Sequence, residues 1–385
     1  MRIMHTSDWH LGRALQGESL LEDQAHALQQ LVDLLREDAG NPNTRTDLLI
    51  LAGDVYDRAV PPRDAVSLLD ATLSEIVGGL RIPTLVIAGN HDSPERVGFG
   101  AELLKGAGLL VAGPLQAEPA SLVFQDAAGP IRVFALPYAG PGEARRVLDE
   151  GIRSHEGVLA AQVAACRSRL GSGERSVVVG HAFVTGAETS DSEEELAVGG
   201  SSGVNAAVFQ GLDYVALGHL HRPQSLAGGR IRYSGSLLKY SFSEAAHSKG
   251  ILRLELDRDG LRCETLALTP RRDLRILEGD FHALLEGETQ GPADDLLLIR
   301  LLDTLPQLDA IHRLRKRYPN VLQLEWPNQQ HGGTAAALAG DHRQFGHEEL
   351  FSRFYQDLKG APLEPAQLEA YRGLVDALAD SRRAL

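Results

Sequence analysis

The sequence predicts an α/β protein with a four-layer αββα arrangement, in which two sheets pack together and helices cover their outer faces. From Met1 to about Ala135, short apolar strands alternate with amphipathic helices, a rhythm typical of a layered α/β domain. Beyond His221, three more strand-like runs are separated by turn residues, which completes a plan of two sheets. A chain of 385 residues with 43% hydrophobic and 23% charged residues is ordinary for a globular protein of two or three domains.

Hydrophobic periodicity places the individual elements of the range 1–270, which we predict to be the main domain. Predicted strands cover 2–6, 47–51, 84–88, 176–179 and 213–217, a hairpin at 121–124 and 131–136, and runs at 230–234, 250–255 and 261–268. Predicted helices cover about 19–37, 64–77, 93–104 and 154–170.

A smaller α/β domain is predicted at 271–327, after the Thr269-Pro270 boundary. It comprises strands at 296–302 and 321–326 around a helix at 306–317. The basic run from His312 to Arg317 could contact a DNA backbone, but we favour a solvated helix face.

The segment 328–344 is predicted to be a linker, because it is rich in Gly, Ala, Gln and His and has no hydrophobic periodicity. The segment 345–385 is predicted to form helices. Its apolar residues recur at three- and four-residue spacing at Phe345, Leu350, Phe351, Phe354, Tyr355 and Leu358. We favour a docking surface for another protein over packing within its own domain, because the linker detaches this stripe from the core.

The formal net charge of −14 argues against a free-standing protein that grips DNA by surface charge. It does not exclude an enzyme that binds phosphate through bound cations, or one that relies on a partner protein to bind DNA. Cys166 and Cys263 are far apart in the sequence and are predicted to be thiols in a reducing compartment. No long apolar stretch follows Met1, so we predict neither a signal peptide nor a membrane span, and a cytoplasmic location.

Five short strings carry side chains that bind metals, and most of them follow a predicted buried strand. They are Asp8-Trp9-His10, Gly53-Asp54-Val55-Tyr56-Asp57, Gly89-Asn90-His91-Asp92, Gly180-His181 and Gly218-His219-Leu220-His221. Sites in open α/β sheets assemble at the carboxyl ends of strands. We therefore predict a two-metal phosphoesterase site with the ligands Asp8, His10, Asp54, Asn90, His181, His219 and His221.

Roles within this site follow from residue type and position. A carboxylate must bridge two cations about 3.5–4 Å apart, and Asp54 is the natural bridge. The mixture of oxygen and imidazole ligands suits manganese, iron or zinc. His91 follows the ligand Asn90 and is predicted to be the catalytic histidine, with Asp57 accepting a hydrogen bond from it.

These strings resemble those of the calcineurin-like metallophosphoesterase superfamily, and the longer runs resemble its SbcD branch. The runs are Thr6 to Gly12, Gly53 to Asp57 with Pro61-Pro62, Gly89 to Ser93, Ala216 to Gln224, Tyr233 to Ser236 and Phe242 to Glu244. The resemblance implies one metal held by Asp8, His10, Asp54 and His221, and another held by Asp54, Asn90, His181 and His219.

The same resemblance implies a manganese-dependent nuclease of break repair and recombination, located in the nucleoid. Its activities would be 3′–5′ double-strand exonuclease and single-strand or hairpin endonuclease. It also implies a homodimer through helices of the nuclease domain, a DNA-binding capping domain at 271–327, and binding of an SMC-like ATPase, SbcC, by helices in 345–385.

Two other functions compete with this interpretation. One is a metallophosphoesterase acting on a small phosphodiester, a nucleotide or a phosphoprotein. The metal site alone recognises the phosphate group and not the rest of the substrate. The other is a scaffold with an inactive metal site. The presence of every expected ligand argues against the scaffold.

Overall fold

A computed structural model describes the strands and helices of the chain. It describes residues 1–41, 44–194, 196, 203–305, 307–328, 351–352, 355–356, 360 and 362–372. Two six-stranded sheets dominate the structure, and helices cover their outer faces. The predicted α/β class and the four-layer arrangement are confirmed.

The first sheet is mostly parallel and contains the first strand of the chain near its centre. In spatial order its strands are Leu261–Ala267, Gly250–Leu256, Arg2–Thr6, Leu48–Ala52, Thr84–Ile87 and Leu109–Ala112. The last four run parallel, and Gly250–Leu256 pairs antiparallel with Arg2–Thr6. The strand Leu109–Ala112, at one edge of this sheet, was not predicted.

The second sheet has parallel strands at its centre and antiparallel strands at both edges. In spatial order its strands are Gln224–Leu226, Ile231–Tyr233, Tyr214–Gly218, Arg175–His181, Gly129–Ala135 and Ala120–Asp126. The edge strands pair antiparallel with their neighbours, and the predicted hairpin is the pair Ala120–Asp126 and Gly129–Ala135. The other pairs are parallel, so Arg175–His181 and Tyr214–Gly218 end at the same edge.

Alternation along the strands divides the hydrophobic core between the layers. Leu48 and Ile50 pack between the sheets together with Val177 of the second sheet. Leu49 and Leu51 face the opposite way, toward the helix Leu21–Ala39. Strands that are buried on both faces lack polar alternation, which explains their nearly continuous apolar sequences.

The observed helices lie where helices were predicted, except Pro141–Val147, which was not predicted. They are Leu21–Ala39, Arg63–Leu73, Pro94–Val97, Ala101–Lys105, Pro141–Val147 and His155–Ser168, with a π-helical turn at Ser74–Gly79. The prediction of a single helix at 93–104 is wrong, because the helix is interrupted between Gly98 and Gly100. Gly100 has φ +73°, a conformation that stops a right-handed helix.

A three-stranded sheet follows, formed by Leu274–Gly279, Leu296–Leu301 and Val321–Glu325. Short helices occupy Phe281–Glu286 and Ala310–Arg315. The helix predicted at 306–317 is therefore shorter than expected, and residue 306 lies outside the described residues. Within this part of the chain Arg313 lies over the Phe281 ring at 4.4 Å, and Arg317 donates to the Leu285 carbonyl at 2.7 Å. These two arginines are therefore used in packing.

Most of the predicted linker at 328–344, and most of the stripe from Phe345 to Leu358, lie outside the described residues. In the described part of the tail, the rings of Phe351 and Tyr371 stack at 4.1 Å. The boundaries at 270, 327 and 344 stay predictions. No helix among the described residues has the length and apolar character needed to span a membrane.

Candidate metal centre

The predicted ligands meet at the carboxyl ends of strands from both sheets. On one side, Nε2 of His10 lies 3.0 Å from Nε2 of His221 and 3.5 Å from Oδ2 of Asp54. A carboxylate oxygen of Asp8 lies within 4.8 Å of ring nitrogens of these two histidines. Side chains from residues 8, 10, 54 and 221 therefore form one cluster.

A second cluster lies on the other side of Asp54. Nε2 of His181 lies 3.4 Å from Oδ2 of Asp54 and 2.9 Å from Oδ1 of Asn90. Nδ1 of His219 lies 3.2 Å from the same Asn90 oxygen. Oδ2 of Asp54 thus faces a histidine of each cluster, the position that a bridging oxygen would need.

Four of the seven predicted ligands have a left-handed backbone. The φ angles of Asp8, His10, Asp54 and His219 are 52°, 43°, 50° and 100°. Such conformations cost non-glycine residues about 1–3 kcal/mol each and persist where the surrounding structure imposes them. At Asp8 and His10 backbone bonds hold the conformation, because their amides donate to the carbonyls of Gly53 and Asp54, both at 3.0 Å.

Two glycines provide the space in which the ligands approach one another. A Cβ at Gly53, whose φ is +86°, would overlap the His181 ring, and a Cβ at Gly89 would overlap Asp54. Asp92 joins the same two loops, since its buried carboxylate accepts hydrogen bonds from the amides of Val55, Tyr56 and Gly89 at 2.9–3.0 Å. The sequence did not single out this role of Asp92.

Two of the predicted ligands, His181 and Asp8, are oriented by hydrogen bonds on the side away from the centre. Nδ1 of His181 bonds the Ala52 carbonyl at 2.9 Å, which leaves Nε2 free to face the centre. Oδ1 of Asp8 accepts from the His219 amide at 2.8 Å, while its other oxygen accepts from Ser7. Neutral imidazole lone pairs and ionised carboxylates are the forms that bind metal.

Burial and neighbouring charge move the pKa values of these groups in opposite directions. Burial raises the pKa of Asp8 to about 6, although His181 and His221 oppose the shift. Burial also tends to raise the pKa of Asp54, but His181, His10 and His91 together outweigh it and hold that pKa well below its usual range. Burial lowers the pKa of His219 to about 3, so this ring is neutral. Asp54 therefore stays ionised in the buried centre.

His91 lies beside the centre, and its bond to Asp57 is to the main chain. Nδ1 of His91 contacts the backbone carbonyl of Asp57 at 2.9 Å, not the carboxylate. The Asp57 carboxylate instead pairs with Arg13 at 3.2 Å and lies 3.7 Å from Nδ1 of His10. The contact predicted between Asp57 and His91 is therefore made by the main chain, because the short turn after Asp54 presents the Asp57 carbonyl to His91.

A buried group behind His221 was missed by sequence reasoning. It consists of Ser192, Glu244 and Lys249, joined to one another and to His221 by hydrogen bonds. Glu193 adds a bond from the His221 amide at 2.7 Å. From the sequence, the acidic stretch 191–195 was assigned no role at the site. The run Phe242 to Glu244 was included only as part of the family resemblance.

The residues fit a pair of divalent cations. Nδ1 of His10 is buried without a hydrogen-bond partner among the described residues, and Nε2 of the same ring faces Nε2 of His221. Two lone pairs cannot approach to 3.0 Å without a proton or a cation between them. Buried carboxylates next to such rings are the donor set that divalent transition metals take.

Comparisons with known proteins agree with this chemistry. Residues 1–223 match the family model for calcineurin-like phosphoesterases, and residues 270–358 match the one described as the type 5 capsule protein repressor C-terminal domain. The chain is 30% identical over 394 residues to the SbcD subunit of nuclease SbcCD from Staphylococcus epidermidis, with 99% of each chain covered. A dimetal phosphatase from Danio rerio matches at 16% identity and a TM-score of 0.43, over 70% of this chain and 99% of that chain. On the match over residues 1–223 and the full-length similarity to a nuclease subunit, this chain belongs to the calcineurin-like phosphoesterase family, in its SbcD branch, and is a phosphoester hydrolase.

Proposed function

We propose that this chain is a manganese-dependent DNA nuclease, with 3′–5′ exonuclease activity on double strands and endonuclease activity on single strands and hairpins. The proposal rests on the geometry of the centre, where Oδ2 of Asp54 lies 3.5 Å from His10 and 3.4 Å from His181. It also rests on the full-length similarity to a nuclease subunit.

One cation would be held by Asp8, His10, Asp54 and His221, and the other by Asp54, Asn90, His181 and His219. When bound, such a pair activates water as a nucleophile and neutralises charge on the phosphate oxygens. The protein fixes the positions of both groups of ligands through the strained backbone at Asp8, His10, Asp54 and His219. Rigid placement of this kind avoids reorganisation during the reaction.

His91 would donate the proton that the leaving alkoxide needs. Its amide donates to Oδ1 of Asp54 at 3.0 Å, which ties the residue to the bridging carboxylate. Because Nδ1 bonds the Asp57 carbonyl, Nε2 is the ring atom left to meet the substrate. Asp57 would act through its carbonyl on His91 and through its carboxylate on Arg13.

A hairpin oligonucleotide and a small chromogenic phosphodiester, each assayed with Mn²⁺ and with Mg²⁺, test the substrate and the metal together. We expect cleavage of the hairpin, with faster turnover in Mn²⁺. Cleavage of the chromogenic diester alone would support the alternative, a phosphoesterase of small substrates. Equal or greater activity in Mg²⁺ would contradict the manganese assignment.

A homodimer through the helices of the nuclease domain is also part of the proposal. Phe99 and Leu103 are each 85% exposed, and Val66 is 44% exposed, on or beside the helices Arg63–Leu73 and Ala101–Lys105. A dimer interface on these helices would cover such exposed apolar side chains. Sedimentation should give a dimer for the native chain and a monomer for the double variant Phe99→Glu, Leu103→Glu. A native monomer would contradict this part.

We further propose that the tail at 345–385 binds an SMC-like ATPase of the SbcC type, that 271–327 is a DNA-binding capping domain, and that the complex works in the nucleoid. The partner would supply much of the DNA grip that a chain of net charge −14 lacks. A pulldown with the ATPase, with and without residues 341–385, tests the tail. Equal binding by the truncated chain would contradict the assignment.

A further inference from the structure

The group behind His221 is a chain of hydrogen bonds that ends in a buried ion pair. Ser192 Oγ lies 2.6 Å from Nδ1 of His221 and donates to Oε1 of Glu244. The other oxygen of Glu244 lies 2.5 Å from Nζ of Lys249. Glu244 is 0% exposed, so its carboxylate interacts with the protein alone.

Lys249 is fixed in turn by the main chain of the same ligand. Its ammonium donates to the His221 carbonyl at 2.7 Å and to Ser236 Oγ at 2.9 Å. A buried ion pair is costly to desolvate and often adds little to stability. Its place directly behind a metal-binding ring therefore indicates a role in positioning that ring.

The direction of the hydrogen bonds from Lys249 to His221 determines which nitrogen of His221 carries the proton. Lys249 can only donate, so Glu244 is paired as a carboxylate and can only accept. Ser192 must then give its single proton to Glu244, and its oxygen is left to accept from Nδ1–H of His221. A proton on Nδ1 leaves the lone pair of Nε2 facing His10 and the centre.

We propose that Glu244, held by Lys249 and acting through Ser192, is a positioning residue that fixes the Nδ1–H tautomer of His221 and so prepares Nε2 as a metal ligand. This inference rests on the proposed metal centre, in which His221 is a ligand. Contacts of this kind behind a ligating histidine typically change metal affinity about 10- to 100-fold.

Glu244→Gln keeps the shape of the side chain but reverses the donor and acceptor roles along this series of hydrogen bonds. Because Lys249 can only donate, the amide oxygen of the new side chain must face Lys249, and its NH2 group must face Ser192. Ser192 then donates to Nδ1 of His221, which moves the ring proton to Nε2. The variant should show the Nε2–H tautomer and bind one of its two metals more weakly.

Asp38→Asn is the matched control, since Asp38 is also a buried carboxylate paired with a cation. It accepts from Arg253 at 2.9 Å and from Thr46 at 3.0 Å. Asp38→Asn should lower thermal stability but leave the His221 tautomer and both metal affinities unchanged. If Asp38→Asn lost as much metal affinity as Glu244→Gln, general destabilisation would explain the effect and the inference would be overturned.

The experiment combines NMR of ¹⁵N-histidine-labelled, metal-free protein with Mn²⁺ titration of the full chain. The expected result for Glu244→Gln is the Nε2–H tautomer, together with a roughly 10- to 100-fold weaker Kd at one site. An unchanged tautomer with two native affinities would overturn the inference. If the native chain itself bound no Mn²⁺, the proposed metal centre would fail, while the tautomer comparison would still test Glu244.

Ser192→Ala keeps the inference testable if Glu244→Gln does not fold. This variant retains the Glu244–Lys249 pair, and Oε1 of Glu244 already lies 3.3 Å from Nδ1 of His221. The Nδ1–H tautomer should therefore persist, with a smaller loss of metal affinity. The Nε2–H tautomer in Ser192→Ala would show that Glu244 does not control the ring and would overturn the inference.

Discussion

His10 and His221 bring their Nε2 atoms to 3.0 Å from each other although 211 residues separate them in the chain. His10 follows the strand Arg2–Thr6 of the first sheet, and His221 follows Tyr214–Gly218 of the second. The packing of the two sheets therefore brings together half of the proposed metal centre. Any change that separates the sheets at this edge should weaken metal binding.

Replacement of Asp54, the proposed bridging carboxylate, should have the largest effect on metal binding. In Asp54→Asn the side chain keeps its shape but loses the charge that faces both clusters, so we expect more than about a 100-fold loss of Mn²⁺ affinity and of activity. Elemental analysis of dialysed protein and a titration would measure it. Asp64→Asn, on the exposed face of Arg63–Leu73, should behave like the native chain. Two retained metals in Asp54→Asn would contradict the bridging role.

His91→Ala should separate catalysis from metal binding. In the proposed centre the His91 ring is not a ligand, so both cations should remain bound while turnover falls by about 10²–10⁴-fold. Single-turnover cleavage of a hairpin, with metal content measured on the same sample, makes the comparison. Native turnover in a metal-replete His91→Ala protein would remove His91 from the mechanism.

Asp57→Ala tests which part of Asp57 serves His91. Nδ1 of His91 contacts the carbonyl of residue 57, and alanine retains a carbonyl. We therefore expect a smaller loss of turnover than in His91→Ala, arising from Arg13, which loses its partner at 3.2 Å. A loss of turnover as large as that in His91→Ala would instead show that the Asp57 carboxylate serves His91.

Gly89→Ala should disable the centre without a change of charge. A Cβ at this position would overlap the carboxyl group and amide of Asp54, so the bridging side chain must move. Gly140→Ala is the control, because a Cβ there meets nothing within 4 Å. Metal titration and thermal denaturation should show losses in the first variant only. Native metal affinity in Gly89→Ala would mean that the two loops can separate at no cost.

Much of this architecture was predictable because its signals are local. The strand Arg2–Thr6 was predicted at its observed bounds, and the ligands stand directly after such strands. Ser192, Glu244 and Lys249 were not predictable in this way, since their partners lie far along the chain and their residue types are common. The break at Gly98 to Gly100 was missed because the apolar spacing continues across it.

Metal binding should stabilise the native chain by an amount that rises with the logarithm of the cation concentration above Kd. A ligand that binds only the folded state adds about 2.7 kcal/mol at 100 times its Kd. The Tm should rise with Mn²⁺, fall after chelation, and change little in Asp54→Asn. A Tm that does not depend on Mn²⁺ in the native chain would contradict a structured cation site.

Anomalous diffraction from Mn²⁺-soaked crystals of the full chain tests the central claim most directly. We expect two peaks about 3.5–4 Å apart, one beside His10 and His221 and the other beside His181 and Asn90, with Asp54 between them. A single peak, or peaks remote from Asp54, would contradict the account of a shared two-metal centre.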